Sequence, residues 1–308
     1  MKGLLKGFLL AILAVALLAG CSLEQGPKES EGKKKDEKIK IGLSISTLNN
    51  PFFVTLKEGA EEEAKSQGID ITTVDAQNDS AKQVSDIEDL IQRGVDILLV
   101  NPTDSAAVAA AIESANNANI PVITVDRSAD GGEVIAHIAS DNAAGGKMAG
   151  EFLAEKLGGK GKVVELEGIP GSSAARERGK GFNEAIAGEN GIEVVAKQPA
   201  DFDRSKGLSV MENILQSKKD IQAVFAHNDE MALGAIEALK AAGLDDVIVV
   251  GFDATDDAVK AVEDGKMGAT VAQKPELIGQ EAVKTAIKVN KEEKVEEFIP
   301  VELELIKK

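Results

Sequence analysis

The chain has 308 residues, enough for two domains of roughly 130 residues with a core in each. Its 52 acidic and 35 basic residues give a formal charge of −17, which argues against a nucleic-acid binder, since that needs a basic face, but names no partner, because acidity mostly serves solubility. Cys21 is the only cysteine, so an intramolecular disulfide is excluded and stability must come from packing.

At the start, Lys2 and Lys6 precede an apolar run from Phe8 to Ala19 that is too short for a permanent bilayer span and has the form of a secretory signal. The run ends in Leu18-Ala19-Gly20-Cys21, which resembles the lipobox of bacterial lipoproteins. Residues 1–20 are therefore expected to be a signal peptide and Cys21 a lipidated anchor on the extracytoplasmic face of the membrane. Residues 22–38 are low in hydrophobicity and balance five lysines against five acids, so a flexible tether is expected there. Without the two signal lysines, the folded part is two charges more negative than the whole chain.

The first apolar run of that part, Ile39 to Ser46, reads as a buried strand, and a helical pattern follows from Val54 to about Gln67. Between them lies Thr47-Leu-Asn-Asn-Pro-Phe-Phe53. Asn50 suits an N-cap and Pro51 a first helical turn, but neither accounts for two adjacent phenylalanines in a chain with nine Phe and no Trp or Tyr. Phe52 and Phe53 either clamp the helix down or face a ligand.

Further strands are expected at Ile69 to Asp75, Asp96 to Val100, Pro121 to Val125, Val134 to Ala139, Lys162 to Leu166, Ile192 to Lys197, Ala223 to Ala226, Val247 to Gly251 and Ala269 to Ala272. Helical stretches lie between most of them, at Lys82 to Gln92, Ala106 to Ala118, Ala143 to Leu157, Ala174 to Ala187 and Glu230 to Ala241. This alternation predicts a parallel α/β fold, and continuous apolar runs such as Ile97-Leu-Leu-Val100 suit sheets covered on both faces. The rhythm breaks over residues 126–141 and again from Val271 to Pro275, ahead of one last helix and closing strands at Phe298 to Val301 and Leu303 to Ile306. A single barrel gives no reason for such breaks, whereas a chain crossing between two sheets does.

Polar residues follow the strand ends: Asn101, Asp126 and Arg127, Ser140, His227 and Asn228, Asp253 after Phe252, and Gln273. In open parallel sheets ligands bind outside the carboxyl ends of the strands, so two such edges facing each other make a cleft. Singly, Asn101, Ser140 and Asn228 could be caps, Asp126 with Arg127 a surface pair, Arg178 a solvent-facing helix residue, and Phe202 a local contact beside the capping Asp203. The isolated His137 and His227 lack metal-ligand spacing and read as structural. Together, Asn50, Asn101, Asn228 and Gln273 supply amides, while Asp126 and Asp253 balance Arg127 and Arg178. A neutral set rich in hydrogen-bonding groups suits an uncharged polyhydroxyl ligand, with Phe52, Phe53, Phe202 and Phe252 covering the C–H faces of a sugar ring. Each charge-assisted hydrogen bond there is worth about 1.5 to 3 kcal/mol.

The stretches STLNNPFF, NPTDSAAV, NIPVITVDR, HIASDN, GSSAARERGKGF, PADFDR, NDEMALGA, VVGFD and VAQKP occur in order, and with them the chain from Ile39 to Lys308 resembles the D-ribose-binding proteins of bacterial ABC transporters. That resemblance implies a type I periplasmic-binding-protein fold, two doubly wound parallel-sheet domains joined by a three-strand hinge. It implies residues 39–140 with 274–302 as the first domain and 141–273 with 303–308 as the second, with Ser140 and Lys274 at the hinge. Asn50, Phe52, Phe53, Asn101, Asp126 and Arg127 would contact sugar from the first domain, and Arg178, Phe202, Asn228, Phe252, Asp253 and Gln273 from the second. It further implies a monomer that binds D-ribose, or alternatively another monosaccharide (allose or another pentose) or a furanose-like signalling molecule, and passes it to a membrane permease, with no catalytic residue, cofactor or metal. His227 and Ala254 depart from the family's glutamine and glycine at positions where no contact is implied. Phe52→Ala is expected to weaken ribose binding without unfolding the protein.

Two other functions fit parts of the sequence. A transcriptional regulator of the same fold requires a basic helix-turn-helix ahead of the folded part, where this chain has a signal-like segment. A sugar enzyme could use Asp126 and Asp253 as acid and base, but the neighbouring arginines are expected to keep both ionised, and an acid catalyst needs a raised pKa.

Overall fold

The structure, a computed structural model, describes residues 38–308. The expected signal peptide, the Cys21 anchor and nearly all of the tether lie outside the described residues. From there the chain runs β1 (Lys40–Ile45), α1 (Pro51–Ser66), β2 (Asp70–Asp75), α2 (Ser80–Gln92), β3 (Ile97–Val100), α3 (Ala109–Asn117), β4 (Val122–Val125) and β5 (Ala136–Ser140). It continues with α4 (Asn142–Leu157), β6 (Lys160–Glu167), α5 (Ser173–Ala187), β7 (Gly191–Pro199), α6 (Arg204–Leu215), β8 (Ala223–Ala226), α7 (Asp229–Ala241), β9 (Ile248–Asp253), α8 (Asp256–Glu263) and β10 (Ala269–Ala272). It closes with α9 (Pro275–Asn290), β11 (Phe298–Val301) and β12 (Glu304–Lys307).

The strands form two six-stranded sheets with the same internal order, β2-β1-β3-β4-β5-β11 and β7-β6-β8-β9-β10-β12. Pairing is parallel throughout except between β10 and β12. Fully buried strands such as β3, β4 and β8 have no polar face because helices cover both sides. In the first lobe α1 and α9 pack on one face with Ile41, Leu43 and Ile123, and α2 and α3 on the other with Leu98, Val100 and Val122. In the second lobe α6, α7 and α8 cover one face, while α4 and α5 cover the other around Phe182 and Phe225.

The chain crosses between the sheets from β5 to α4, from β10 to α9 and from β11 to β12, which accounts for both breaks in rhythm. Each sheet reverses its winding between its first and third strands, β1 and β3 in one and β6 and β8 in the other, leaving there the crevice in which open α/β sheets hold ligands.

Side-chain caps start the helices that border that crevice: Asn50 accepts from the Phe52 amide, Asp203 from that of Lys206 and Asn228 from that of Met231. The details differ from the sequence-based expectation in three places. Helix α1 begins at Pro51, so Phe52 and Phe53 occupy its first turn. Strand β9 runs on through Phe252 and Asp253. Helix α6 enters the sequence-based expectation only through its cap Asp203, and helix α8, with eight residues, not at all.

Candidate ligand-binding site

The first lobe builds its wall from strand ends. Asn101, just past β3, accepts from the Ser46 amide through Oδ1 at 3.1 Å, and its Nδ2 donates to Val125 O at 3.1 Å and to Asp126 Oδ2 at 3.3 Å. The amide is thereby spent on seating Asp126 and does not cap a helix. Asp126 adopts φ +61°, a left-handed backbone that a non-glycine residue keeps only when its surroundings hold it. Arg127 donates from Nη1 to Pro102 O at 3.2 Å, and its Nε lies 3.7 Å from Asp126 Oδ2.

The second lobe supplies the opposing wall. Arg178 on α5 donates from Nε to Asn142 Oδ1 at 2.8 Å and from Nη1 to His227 O at 2.7 Å, and it stands 3.6 Å from Asp253 Oδ1. Asn228, the cap of α7, donates from Nδ2 to Phe202 O at 3.2 Å. Gln273 donates from Nε2 to Asp253 Oδ1 at 2.8 Å. The rings flank the guanidiniums: Arg127 lies 5.0 Å from the centroids of both Phe53 and Phe202, and Arg178 lies 3.8 Å from that of Phe252. Phe52 meets Phe53 edge to face with centroids 5.1 Å apart.

These walls meet around a narrow space lined by Asn50, Phe52, Phe53, Asp126, Arg127, Ala174, Arg178, Phe202, Asn228 and Asp253. Nine of the twelve residues expected to contact sugar thus share one cavity. Asn101, Phe252 and Gln273 stand behind it, touching Asp126, Arg178 and Asp253 respectively. A wider groove alongside shares Phe52 and Asp253 with the cavity and adds Gln273 and Lys274. None of the twelve is more than 8% exposed, yet among the described residues Asp126 Oδ1, Arg127 Nε and Gln273 Oε1 have no hydrogen-bond partner. Buried polar atoms are ordinarily paired; the hydroxyls of Ser46, Thr103, Ser140 and Ser172 are left in the same way, but Asp126 and Arg127 line the cavity and so leave hydrogen-bonding capacity there.

Burial governs the charges. It raises the pKa of Asp253 to about 7, against the pull of Arg178 and the Gln273 hydrogen bond, and raises that of Asp126 although Arg127 and Arg178 oppose it. For Asp253 the expectation that the arginines keep the carboxylate fully ionised is therefore not met, because desolvation outweighs charges that are themselves buried; for Asp126 burial pushes in the same direction. Burial likewise lowers Arg127 to about 10, helped by the like charge of Arg178.

Both histidines serve the fold. His137 meets Thr124 Oγ1 at 2.9 Å and stacks on Phe298. His227 accepts from the Gly168 amide at Nδ1, 3.3 Å away, and its Nε2 lies 3.0 Å from Glu165 Oε1. With Nδ1 accepting, Nε2 carries the proton and the ring is neutral, in keeping with a pKa lowered by burial. Among the described residues no group of three or more His, Cys, Asp or Glu side chains is gathered as a metal would need.

Glu165, Asn142, Ala174 and Asp229 are absent from the sequence-based expectation. A carboxylate within the apolar run Val163-Val-Glu-Leu166 was a visible sign of a buried partner. Asp229 stood beside the expected Asn228, while Ala174 carried no chemical signal.

Residues 41–294 match the periplasmic binding protein domain. The chain belongs to the periplasmic binding protein family. Similar members include the "Ribose import binding protein RbsB" of Bacillus subtilis, 57% identical over 95% of both chains. The protein of that name from Haemophilus influenzae is 60% identical over 86% of this chain and 90% of its own. A solved periplasmic binding protein from Actinobacillus succinogenes, with bound D-allose, superposes with a TM-score of 0.83 at 34% identity, covering 88% of this chain and 98% of that one.

Proposed function

We propose that this protein is an extracytoplasmic solute-binding protein that captures D-ribose between its two lobes and delivers it to the permease of an ABC importer. The observation that carries the reading is the buried set of two carboxylates and two guanidiniums, Asp126, Asp253, Arg127 and Arg178, around one cavity, with polar atoms of Asp126 and Arg127 left unpartnered among the described residues. A pentose presents donors and acceptors around its whole ring and so meets both carboxylates and guanidiniums. The ribose import proteins among its relatives support that sugar over others. The twelve expected contact residues act together here, Asn50, Phe52, Phe53, Asp126, Arg127, Arg178, Phe202, Asn228 and Asp253 at the cavity and Asn101, Phe252 and Gln273 by holding them.

In this reading residues 39–140 with 274–302 move as one domain against 141–273 with 303–308, hinging near Ser140 and Lys274. The protein works as a monomer tethered through a lipidated Cys21, and it returns the sugar unaltered. Sub-micromolar affinity, about −8 kcal/mol or better, is within reach of a ligand with roughly ten heavy atoms. Calorimetric titration against ribose, allose and other pentoses tests the assignment: ribose should bind tightest, and no heat with ribose overturns it. Recovery of a changed sugar after incubation would overturn the transport role in favour of an enzyme.

A further inference from the structure

Asp229 is fully buried, has no cationic partner among the described residues and does not line the ligand cavity. Its Oδ2 accepts from the Thr255 amide at 2.8 Å and from Thr255 Oγ1 at 3.3 Å. Its Oδ1 accepts from Thr270 Oγ1 at 2.7 Å, and that hydroxyl accepts in turn from the Ala254 amide at 3.2 Å. Both amides that follow Asp253 are therefore tied to this one carboxylate, one directly and one through Thr270.

Three other features become intelligible around it. Asp253 and Ala254 adopt φ +116° and +55°, left-handed conformations that non-glycine residues keep only under constraint. Thr255 precedes α8 as its N-cap residue, yet its hydroxyl makes no cap and turns to Asp229 instead. Gly251, in the middle of β9, faces the carboxylate so closely that a Cβ there would collide with Asp229 Oδ1. A buried carboxylate, a strained turn, a diverted cap and a strand glycine thus have one cause.

We propose that Asp229 is a positioning residue: it locks the strand end carrying Asp253 to the helix start carrying Asn228, so that carboxylate and amide reach the ligand in one arrangement. Asp229 directly follows Asn228 at the start of α7, and β9 ends in Asp253, so the lock spans the two elements. Two pre-set groups lose less freedom on binding than two independently mobile ones. The inference rests on the reading of Asp253 and Asn228 as ligand contacts.

The test combines ribose titration with amide exchange in the sugar-free protein. Asp229→Ala and Thr270→Val should each lose about tenfold or more in ribose affinity, because each removes hydrogen bonds that hold the turn. Thr270→Ser, which keeps the hydroxyl, should stay within about threefold. Asp229→Asn should do the same, since its oxygen can still accept from Thr255 while its amide donates to Thr270. Exchange at Ala254 and Thr255 should accelerate in Asp229→Ala and Thr270→Val alone. If Asp229→Ala does not fold, the near-isosteric Thr270→Val carries the comparison. Unchanged affinity and exchange in Thr270→Val would overturn the proposal, as would an Asp229→Asn variant as weak as Asp229→Ala. Should the unaltered protein give no heat with ribose, the sugar assignment falls, while the exchange rates still decide the positioning role.

Discussion

Arg127 lies between Phe53 and Phe202, one ring from each lobe, with Nε free to donate. A guanidinium can lie flat between two rings and offer a planar fork, and an ammonium cannot. Arg127→Lys should therefore lower ribose affinity by about tenfold or more while leaving the melting temperature nearly unchanged, as read by calorimetry and thermal denaturation. For Phe52 the two starting explanations merge. Its ring lines the cavity and also belongs to the core cluster with Leu56, Ile278 and Val283. Phe52→Ala should then cost about 3 to 5 kcal/mol of stability as well as affinity, unlike the earlier expectation of a binding loss alone, and Phe52→Leu should spare most of the stability. Asp253 sets a pH dependence. Its folded pKa of about 7 stands above its ordinary value of 3.8, so its contribution to stability is present below about pH 4 and is lost as pH rises through 7. Ribose hydroxyls donating to the carboxylate favour its ionised form, so affinity should rise from pH 6 to pH 8 with proton release on binding. Titrations in buffers of different ionisation enthalpy check this, and a flat profile would count against direct contact with Asp253.

Helices meet at glycines in both lobes. Gly59 of α1 faces the backbone of Glu276 on α9, and Gly279 of α9 faces that of Leu56 on α1. The same reciprocity links α4 and α5 through Gly146 and Gly181, and α6 and α7 through Gly207 and Gly234. An added methyl at any of them must push two backbones apart, costing about 1 to 3 kcal/mol. The consequences for binding should differ. Gly279→Ala lies away from the cavity and should lower the melting temperature with affinity nearly unchanged. Gly146 abuts the backbone of Arg178, so Gly146→Ala should weaken both stability and ribose binding; equal affinity in the two variants would mean that α4 does not seat Arg178. The strands themselves were legible within a residue or two, because buried β-branched runs end abruptly in polar residues. The helix pairs were not, since a glycine in a helical pattern signals weakness locally and reveals its partner only in three dimensions.

Away from the cavity the lobes also bond to each other. The Ser105 amide donates to Gly171 O at 3.0 Å, the Ser173 amide to Ser105 Oγ at 3.2 Å and the Ser128 amide to Ser173 Oγ at 2.9 Å, while Arg176 pairs with Asp130 at 2.9 Å. If the lobes hinge as proposed, these contacts would favour the closed arrangement without touching the ligand. Apparent affinity scales with the fraction of molecules able to close, so Ser173→Ala should weaken ribose binding by roughly tenfold through the hydrogen bond it removes and the closed population it drains. Small-angle scattering should show the unaltered protein compacting on saturation with ribose, and the variant requiring more ribose to do so. Identical titrations for the two proteins would remove the latch from the account.

The alternation of β-branched and helical runs was enough to expect wound parallel sheets, and the polar residues at the strand ends pointed to a cleft there, while the full set of expected contacts came with the family resemblance. Both are local signals: burial on two faces demands continuous apolar strands, and a strand's carboxyl end is where open sheets can hold a ligand. Three things depended on distance between segments far apart in the chain. The two lobes close on Arg127 from both sides, burial overrides the arginines in setting the state of Asp253, and Asp229 joins a helix start to a strand end. Desolvation and hydrogen-bond geometry are properties of the assembled neighbourhood, and no stretch of sequence carries them alone.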